Sequence, residues 1–285
     1  MIPAGDSTSA IILTLSVGLQ LAATDWIFRL NFVTVGDDGT PDAGLMLDHS
    51  AGAITSAEGR ELVAGLMQYW RTACPGLAAD FALTPGVSYR NILVDSAAEL
   101  RGREYAGVRT VPPHEIPRRP WAHSLPRATG TAAASSHGAH ALNDLMAAAR
   151  AYLPAHPVNK ARVAAGKRPA NAAWIWGQGL KPNMPSFAEK FGIARGAMIT
   201  AVDLLAGIAA LIGWERVDSP GITSYHDTDY AMQGRVTCEA IERFDIVCSH
   251  VESPDEASHQ GDWRTKVAGI EAIDQHLVGP GTEHL

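Results

Sequence analysis

The sequence predicts an α/β chain: a parallel sheet flanked by helices, joined to a separate α+β module. Three observations carry this. From Trp174 onward, strand-like and helix-like stretches follow one another in turn, the order that builds parallel sheets. Trp26 to Val35 alternates, with Trp26, Phe28, Leu30 and Phe32 on one face and Ile27, Arg29, Asn31 and Val33 on the other, which reads as a strand of a different unit. Finally, two Ser/Thr-x-x-Glu signatures, Thr55 to Glu58 and Ser253 to Glu256, mark helix starts, one in each part.

With 285 residues, 46% of them hydrophobic, the chain can bury a large core or two smaller ones. The formal net charge is -7 and no long basic run occurs, so nucleic acid is not an expected partner. A local arginine cluster can still outweigh the global charge and hold an anion. Cys74, Cys238 and Cys248 lack CxxC spacing and read as reduced, packed thiols of a cytoplasmic protein. The start carries Asp6 and no basic run, so no signal peptide is read there. No apolar stretch is long enough for a membrane span, and no membrane partner is expected.

In order along the chain, Ala10 to Leu21 is apolar and suits a helix followed by a strand. The Trp26 to Val35 strand ends in a turn at Asp37-Asp38-Gly39. The helix opened by Thr55 carries Leu62, Val63, Leu66, Met67 and Trp70 at amphipathic spacing and stops at Pro75-Gly76. Strands follow at Asp80 to Leu83 and Val87 to Val94. Five prolines between 101 and 138 suggest an extended connection, and Gly130 to Gly138 reads as small-residue, mobile chain. A helix from about Ala139 to Leu153 ends the module, giving an α+β domain over 25–155 and a second domain over 156–285. There, Ala172 to Trp176 is a candidate strand, Ala197 to Ile212 a helix capped by Gly213, and Val217 to Pro220 strand-like. Ile246 to Val251 reads as a short buried strand, followed by a helix with Ser253 as N-cap and Pro254 at its first position. A final helix carries Val267, Ile270, Ile273 and Leu277 on one face.

Asp255 and His259 stand four apart, hence on one face of the Ser253 helix, at the carboxyl end of a strand. Such a pair can bind one divalent metal. A capped helix with a solvated Asp and His has the same spacing, and spacing alone leaves both open. His250 reads as a satisfied core histidine. His114, after Pro112-Pro113, suits either a cleft or an ordinary loop.

Several ordered motifs carry a resemblance. Phe28-Arg29-Leu30-Asn31-Phe32, Tyr89-Arg90, Asn159 with Arg162, Pro169 to Gly179, Pro185-Ser186-Phe187, Asp227-Thr228-Asp229-Tyr230 and His250 to Asp262 succeed one another. Together they resemble the archaeal-type, 2,3-bisphosphoglycerate-independent (cofactor-independent) phosphoglycerate mutases, over roughly residues 16–280. The resemblance implies an alkaline-phosphatase-like parallel sheet core interrupted by an inserted α+β domain. Residues 1–24 would then be a remnant of the N-terminal core segment. It implies interconversion of 3-phosphoglycerate and 2-phosphoglycerate through a metal-activated phosphoserine, in glycolysis and gluconeogenesis, with a small phosphorylated acid as partner. It implies divalent metal (Mn, Mg or Zn), with Asp255 and His259 among the ligands. It carries Arg29, Arg90 and Arg162 over as binders of phosphate or carboxylate, and adds Asn159 and Asn171 to the substrate-binding set as residues that fix backbone turns.

The pattern also departs from the family. Gly5 stands at the serine position, Gln233 where a lysine is expected, Ala206 where an arginine is common and Ser224 where a glycine is. The family's opening Asp-Gly strand and closing Asp-His motif have no counterpart, so the expectation is a chain lacking parts of both termini. A catalytically silent homologue that binds phosphorylated acids or a partner chain is the alternative expectation. A related phosphotransferase on the same core is disfavoured by the 25–155 module.

Overall fold

The computed structural model describes residues 21–36, 39–181, 184–223 and 225–284, leaving aside the side chains of His259, Glu283 and His284. The expected elements over Ala10 to Leu21, the Asp37-Asp38 turn, Gly5 and Ser224 lie outside the described residues. The chain forms two compact units, one from Leu21–Pro182 and the other from Asn183–Leu285. Among the described residues no helix is long and apolar enough to cross a membrane.

The first unit is organised by β1 (Trp26–Val35). Along one edge β1 pairs antiparallel with β4 (Arg90–Asp95), from Trp26↔Asp95 to Asn31↔Arg90, and then with the short β2 (Met46–Asp48). The other edge pairs with β7 (Ala172–Leu180), from Trp26↔Leu180 to Val33↔Ala172. Strand β3 (Phe81–Pro85) completes the sheet beyond β4. The alternation in β1 aims Phe28, Leu30 and Phe32 into the core, all fully buried. Its other face is covered too, since Ile27 and Val33 are equally buried, and Arg29 and Asn31 sit between them.

Helix α1 (Ser56–Ala73) lays Leu62, Val63, Leu66 and Trp70 into that core. It begins where the spacing predicts. Glu58 N donates to Thr55 Oγ1 at 3.2 Å, and Thr55 N donates to a Glu58 carboxylate oxygen at 2.7 Å, a reciprocal cap. Helix α2 (Ala133–Tyr152) adds Leu142, Leu145 and Met146. It starts about two turns earlier than expected. The small residues of its first turns are packing requirements rather than signs of mobility. A Cβ at Gly138 would meet the Glu104 carbonyl at 2.6 Å, and Ser135, buried, donates to the Glu104 carboxylate at 2.7 Å. Trp70 Nε1 donates to the Leu145 carbonyl at 3.1 Å, tying α1 to α2. A minor two-stranded pair, β5 (Val108–Arg109) with β6 (Arg127–Ala128), lies within the proline-rich stretch.

A buried ion network closes the far end of this sheet. Arg103 donates to both oxygens of Asp95, at 2.8 and 2.9 Å, and to Asp80 at 3.0 Å. Tyr105 Oη donates to Asp95 at 2.7 Å. Burial works against the charge on Arg103, but its carboxylate partners outweigh that and hold its pKa above the usual value.

The expected boundary at 155/156 falls inside this unit. Helix α3 (Pro157–Ala164) and β7 both belong to it, and β7 is an antiparallel partner of β1 rather than the first strand of a parallel sheet. The side chain of Asn171 fixes this pairing. Its amide accepts from Val35 N and donates to Val35 O, both at 2.8 Å, as a backbone peptide would. Trp174 and Trp176 are both buried, so β7 carries no alternating pattern to betray its sheet.

The second unit holds a three-stranded parallel sheet. β8 (Gly196–Ile199) lies centrally, between β10 (Ile246–Ser249) and β9 (Glu215–Arg216). The expected helix over Ala197 to Ile212 is thus corrected: its first residues form β8, and helix α5 (Asp203–Leu211) follows, after the short α4 (Phe187–Phe191). All four residues of β8 are buried, and a short run apolar on both faces has no period to distinguish strand from helix. Gly213 takes φ +80 just past the end of α5, the expected stop. The strand read at Val217 to Pro220 lies two residues earlier, as β9.

Helix α6 (Tyr230–Ile241) is capped by Asp229, which accepts from Met232 N at 2.8 Å. Helix α7 (Ser253–His259) follows β10, which is half-buried rather than buried. The expected Ser253 cap is not made. Glu252 occupies the N-cap, and Ser253 Oγ instead lies 2.6 Å from Tyr230 Oη. In α8 (Trp263–Ile273) and the π-turn after it (Asp274–Val278), Leu277 is buried. Val267 and Ile270 of the same expected face are about half exposed.

Candidate functional site

In the first unit the sheet places cations and aromatic rings side by side. Arg29 of β1 stands opposite Trp176 of β7, and its Cζ lies 4.4 Å from the centre of that ring. A guanidinium over an indole face is attracted to the ring's electron density. Two residues on, Asn31 is buried. Its Oδ1 accepts from Trp176 Nε1 at 3.3 Å, and its Nδ2 donates to the His49 carbonyl at 3.4 Å. Opposite Asn31 in β4 is Arg90, exposed, its Cζ 5.4 Å from the Tyr89 ring.

Two histidines complete the patch. The His49 ring lies 6.0 Å from Tyr89 and 6.2 Å from His114, and the His114 ring lies 5.5 Å from Trp176. A continuous series of contacts therefore runs Arg29, Trp176, His114, His49, Tyr89, Arg90. Guanidinium forks suit phosphate and carboxylate, and imidazoles can donate to either.

Strained loops present these side chains. After His49, Ala51 and Ala53 take φ +51 and +49, and before Tyr89, Ser88 takes φ +60. Left-handed backbone at residues with a Cβ costs about 1–3 kcal/mol each and persists only where neighbours impose it. Here Asp48 imposes it, accepting from Ser50 N and Oγ, from Gly52 N and from Arg168. Burial pushes the Asp48 carboxyl up, but these hydrogen bonds outweigh it and hold the pKa below the usual value. Ser88 Oγ donates to the Ile54 carbonyl, joining the two loops.

Three residues expected to bind substrate are engaged elsewhere. Arg162 is buried. It donates to both Glu58 oxygens at 2.9 and 3.0 Å, to the Ala51 carbonyl at 2.8 Å and to the Arg168 carbonyl at 2.8 Å. It is a structural clamp between α1, α3 and the 48–53 loop. Asn159 donates to the Leu153 and Ala170 carbonyls and accepts from Ala170 N. Asn171 pins β7 to β1, as above. Both asparagines fix backbone, and neither belongs to the arginine patch. His49 is the residue that sequence reasoning passed over; its only signal is the polar Asp48-His49-Ser50 step after an apolar run.

In the second unit, polar groups gather where the parallel strands end at their carboxyl side. His250 is half-buried, with Nδ1 3.3 Å from Thr200 Oγ1 and Nε2 3.0 Å from Glu252. It is a satisfied histidine, as expected. Gln233, buried, donates to Ser249 Oγ at 3.1 Å and to the His250 carbonyl at 2.9 Å. Thr237 donates to Ser249 at 2.9 Å. Burial pushes the Cys248 thiol up, which favours its neutral form. Asp255 is exposed on α7, and the His259 side chain lies outside the described residues. Among the described residues no three His, Cys, Asp or Glu side chains gather as a metal shell.

An antiparallel α+β unit bearing clustered cations and a parallel α/β unit with polar strand ends place the protein among mixed α/β proteins with several sheets. Solved structures share this fold. A protein from Pyrococcus horikoshii matches with a TM-score of 0.65 at 22% identity, covering 99% of this chain and 65% of that one. The cofactor-independent phosphoglycerate mutase of Thermoplasma acidophilum matches with a TM-score of 0.61 at 24% identity, covering 94% of this chain and 64% of that one. The chain belongs to the 2,3-bisphosphoglycerate-independent phosphoglycerate mutase family, whose model matches residues 9–159. Curated relatives of that name occur in Methanothrix thermoacetophila, 42% identical over 262 residues, and, as mutase 2, in Methanothermobacter thermautotrophicus, 39% identical over 264. These alignments take in 92% and 93% of this chain and 59% of each relative, so the chain spans about three fifths of their length.

Proposed function

We propose that the chain carries the substrate-holding part of a phosphoglycerate mutase, an isomerase that interconverts 3-phosphoglycerate and 2-phosphoglycerate. The observation that supports this best is the patch in which Arg29 and Arg90 flank Trp176 and Tyr89 on one sheet. A phosphorylated three-carbon acid carries an anion at each end, and two arginines about a rigid aromatic platform suit both. Arg29 and Arg90 bind and orient; Asn31 holds the Trp176 ring and the His49 loop in register.

On this reading the second unit belongs to an alkaline-phosphatase-like core, and the first is the domain inserted into it. The three cysteines, all free of disulfides, suit a cytoplasmic setting. Asp255 and His259 would donate to a divalent ion (Mn, Mg or Zn), which when bound lowers the pKa of a hydroxyl and shields phosphoryl charge. Two donors do not make a centre. No step is routed through the ion.

Two measurements test the reading. Phosphorus NMR of the chain with 3-phosphoglycerate and manganese tells whether 2-phosphoglycerate forms. Calorimetric titration is expected to show binding that Arg29→Gln weakens at least tenfold, the worth of one charge-assisted hydrogen bond. Binding without turnover favours the silent homologue, and absence of both sinks the proposal. For the metal, manganese titration read by electron paramagnetic resonance is expected to lose its bound fraction in Asp255→Asn.

A further inference from the structure

We propose that His49 and His114 are substrate-contacting residues, two imidazole donors that close the arginine patch around the phosphate or carboxylate of a phosphorylated acid. The proposal rests on the reading above and deepens it.

The argument starts from how the rings are held. Three ring contacts in series, Tyr89 to His49, His49 to His114 and His114 to Trp176, have interplanar angles of 84°, 73° and 75°. Near-perpendicular packing fixes ring planes through their faces and edges without consuming ring nitrogens. Neither imidazole takes a hydrogen bond or ion pair from a described residue. Both residues are exposed. Their nitrogens are thus oriented and, among the described residues, not taken up, unlike those of His250 and His156, whose rings are hydrogen-bonded within the protein.

Each histidine also sits on a deliberately fixed backbone. His49 precedes the left-handed Ala51 to Ala53 stretch that Asp48 ties down, and its carbonyl is held by Asn31. His114 lies on a 3₁₀ turn, Pro113–Glu115, entered through Pro112. The approach to that turn is tied to β7. Trp174 Nε1 donates to the Val111 carbonyl at 2.8 Å, and Thr110 Oγ1 donates to Gln178 at 2.7 Å and accepts from Gly177 N at 3.1 Å. The turn and the 48–53 loop come from distant parts of the chain, yet they meet at these two rings. Arg29 and Arg90 stand at the two ends of the series, and both imidazoles lie between them in the run of contacts.

The test uses the full chain and replaces each ring by one of similar shape without nitrogens, as His49→Phe and His114→Phe. Thermal unfolding checks that each variant remains folded. Titration with 3-phosphoglycerate is expected to show affinity down about tenfold in each, the worth of one hydrogen bond to a charged group. Proton NMR of the ring signals, assigned from the same variants, is expected to move on adding 3-phosphoglycerate. Separate additions of inorganic phosphate and of glycerate show which end of the ligand each ring meets. If Arg29→Gln weakens binding while both phenylalanine variants bind as the parent does and the ring signals stay still, this proposal is overturned and the substrate reading stands. If the parent chain binds neither 3-phosphoglycerate nor phosphate, the substrate reading itself falls and takes this one with it.

Discussion

The two units bury very different interiors. The first encloses Trp70, Trp174, Trp176, Tyr105, Phe28 and Phe32, each almost fully buried, with a charged network sealed beside them. Among the described residues the second buries mainly alanines, Ala197, Ala206, Ala209, Ala240 and Ala257, with Met198, Ile199 and Leu277 as its larger apolar members. It leaves Trp263, Val267, Ile270 and Phe191 about half exposed or more. Burial of a large apolar side chain contributes about 1.5–3 kcal/mol, so among the described residues the first unit draws the larger share of apolar stabilisation. The contrast matches the division of labour proposed above. A patch that must keep rings and guanidiniums in fixed register is mounted on the rigid unit.

The contrast can be broken experimentally. Denaturant titration is expected to unfold the second unit first, with Trp214 and Trp263 reporting early and the buried tryptophans late. Trp70→Ala should remove about 3–5 kcal/mol from the late stage and leave the early one in place. Movement of both stages together would show that the units do not melt separately.

Asp95→Asn tests the sealed network, because it leaves the buried Arg103 with much less counter-charge. Removing one member of a buried pair costs about 3–5 kcal/mol, again expected in the late stage alone. Asp80 gives this network its acid sensitivity. Burial raises its pKa, but bonds from Arg101 and Arg103 more than offset that and hold it below 3.8. The stability it adds is present above that pH and is lost as pH falls through the lower, folded value.

A smaller effect separates clamp from ligand. Arg162→Gln should cost about 1–3 kcal/mol of stability through its buried bonds yet leave 3-phosphoglycerate affinity unchanged, the reverse of Arg29→Gln. Loss of affinity in a fully folded Arg162→Gln chain would return Arg162 to the binding set.

The smallest effect concerns His156, the N-cap of α3, whose Nδ1 accepts from Val158 N at 3.2 Å. Accepting requires the neutral ring, and burial holds its pKa below 6.5 despite the opposing Glu61. The unfolded chain therefore takes up a proton first, and stability falls as pH drops below 6.5 toward the folded value. The loss should reach about 1 kcal/mol, the worth of a cap. His156→Asn, which caps without titrating, should flatten the dependence of melting temperature between pH 7.5 and 5.5.

Local chemistry made much of this legible in advance. The alternation of β1 and the Thr55/Glu58 cap are short-range signals, and both elements lie where they predict. Strands buried on both faces carry no such signal. β8 resembled a helix, and β7 was assigned to the wrong sheet, because Trp174 and Trp176 are both covered. Arg162 shows a different limit. An arginine beside a motif has the same letter whether it binds ligand or Glu58, and only the three-dimensional partner distinguishes them. His49 went unnoticed because its neighbours in the patch lie tens of residues away in sequence.

The pairing of β1 with β7 also sets a clock on synthesis. The Trp176 indole that meets Asn31 arrives 145 residues later in the chain. At ribosomal speeds of about 5–20 residues per second, β1 waits roughly 7–30 s for that partner. Through that interval one edge of the central strand stands open, with the ladder of Trp26 to Val33 exposed to other nascent chains. The same connection that makes the finished unit rigid makes its birth the moment of greatest risk, and a chaperone acting early would have this edge to guard.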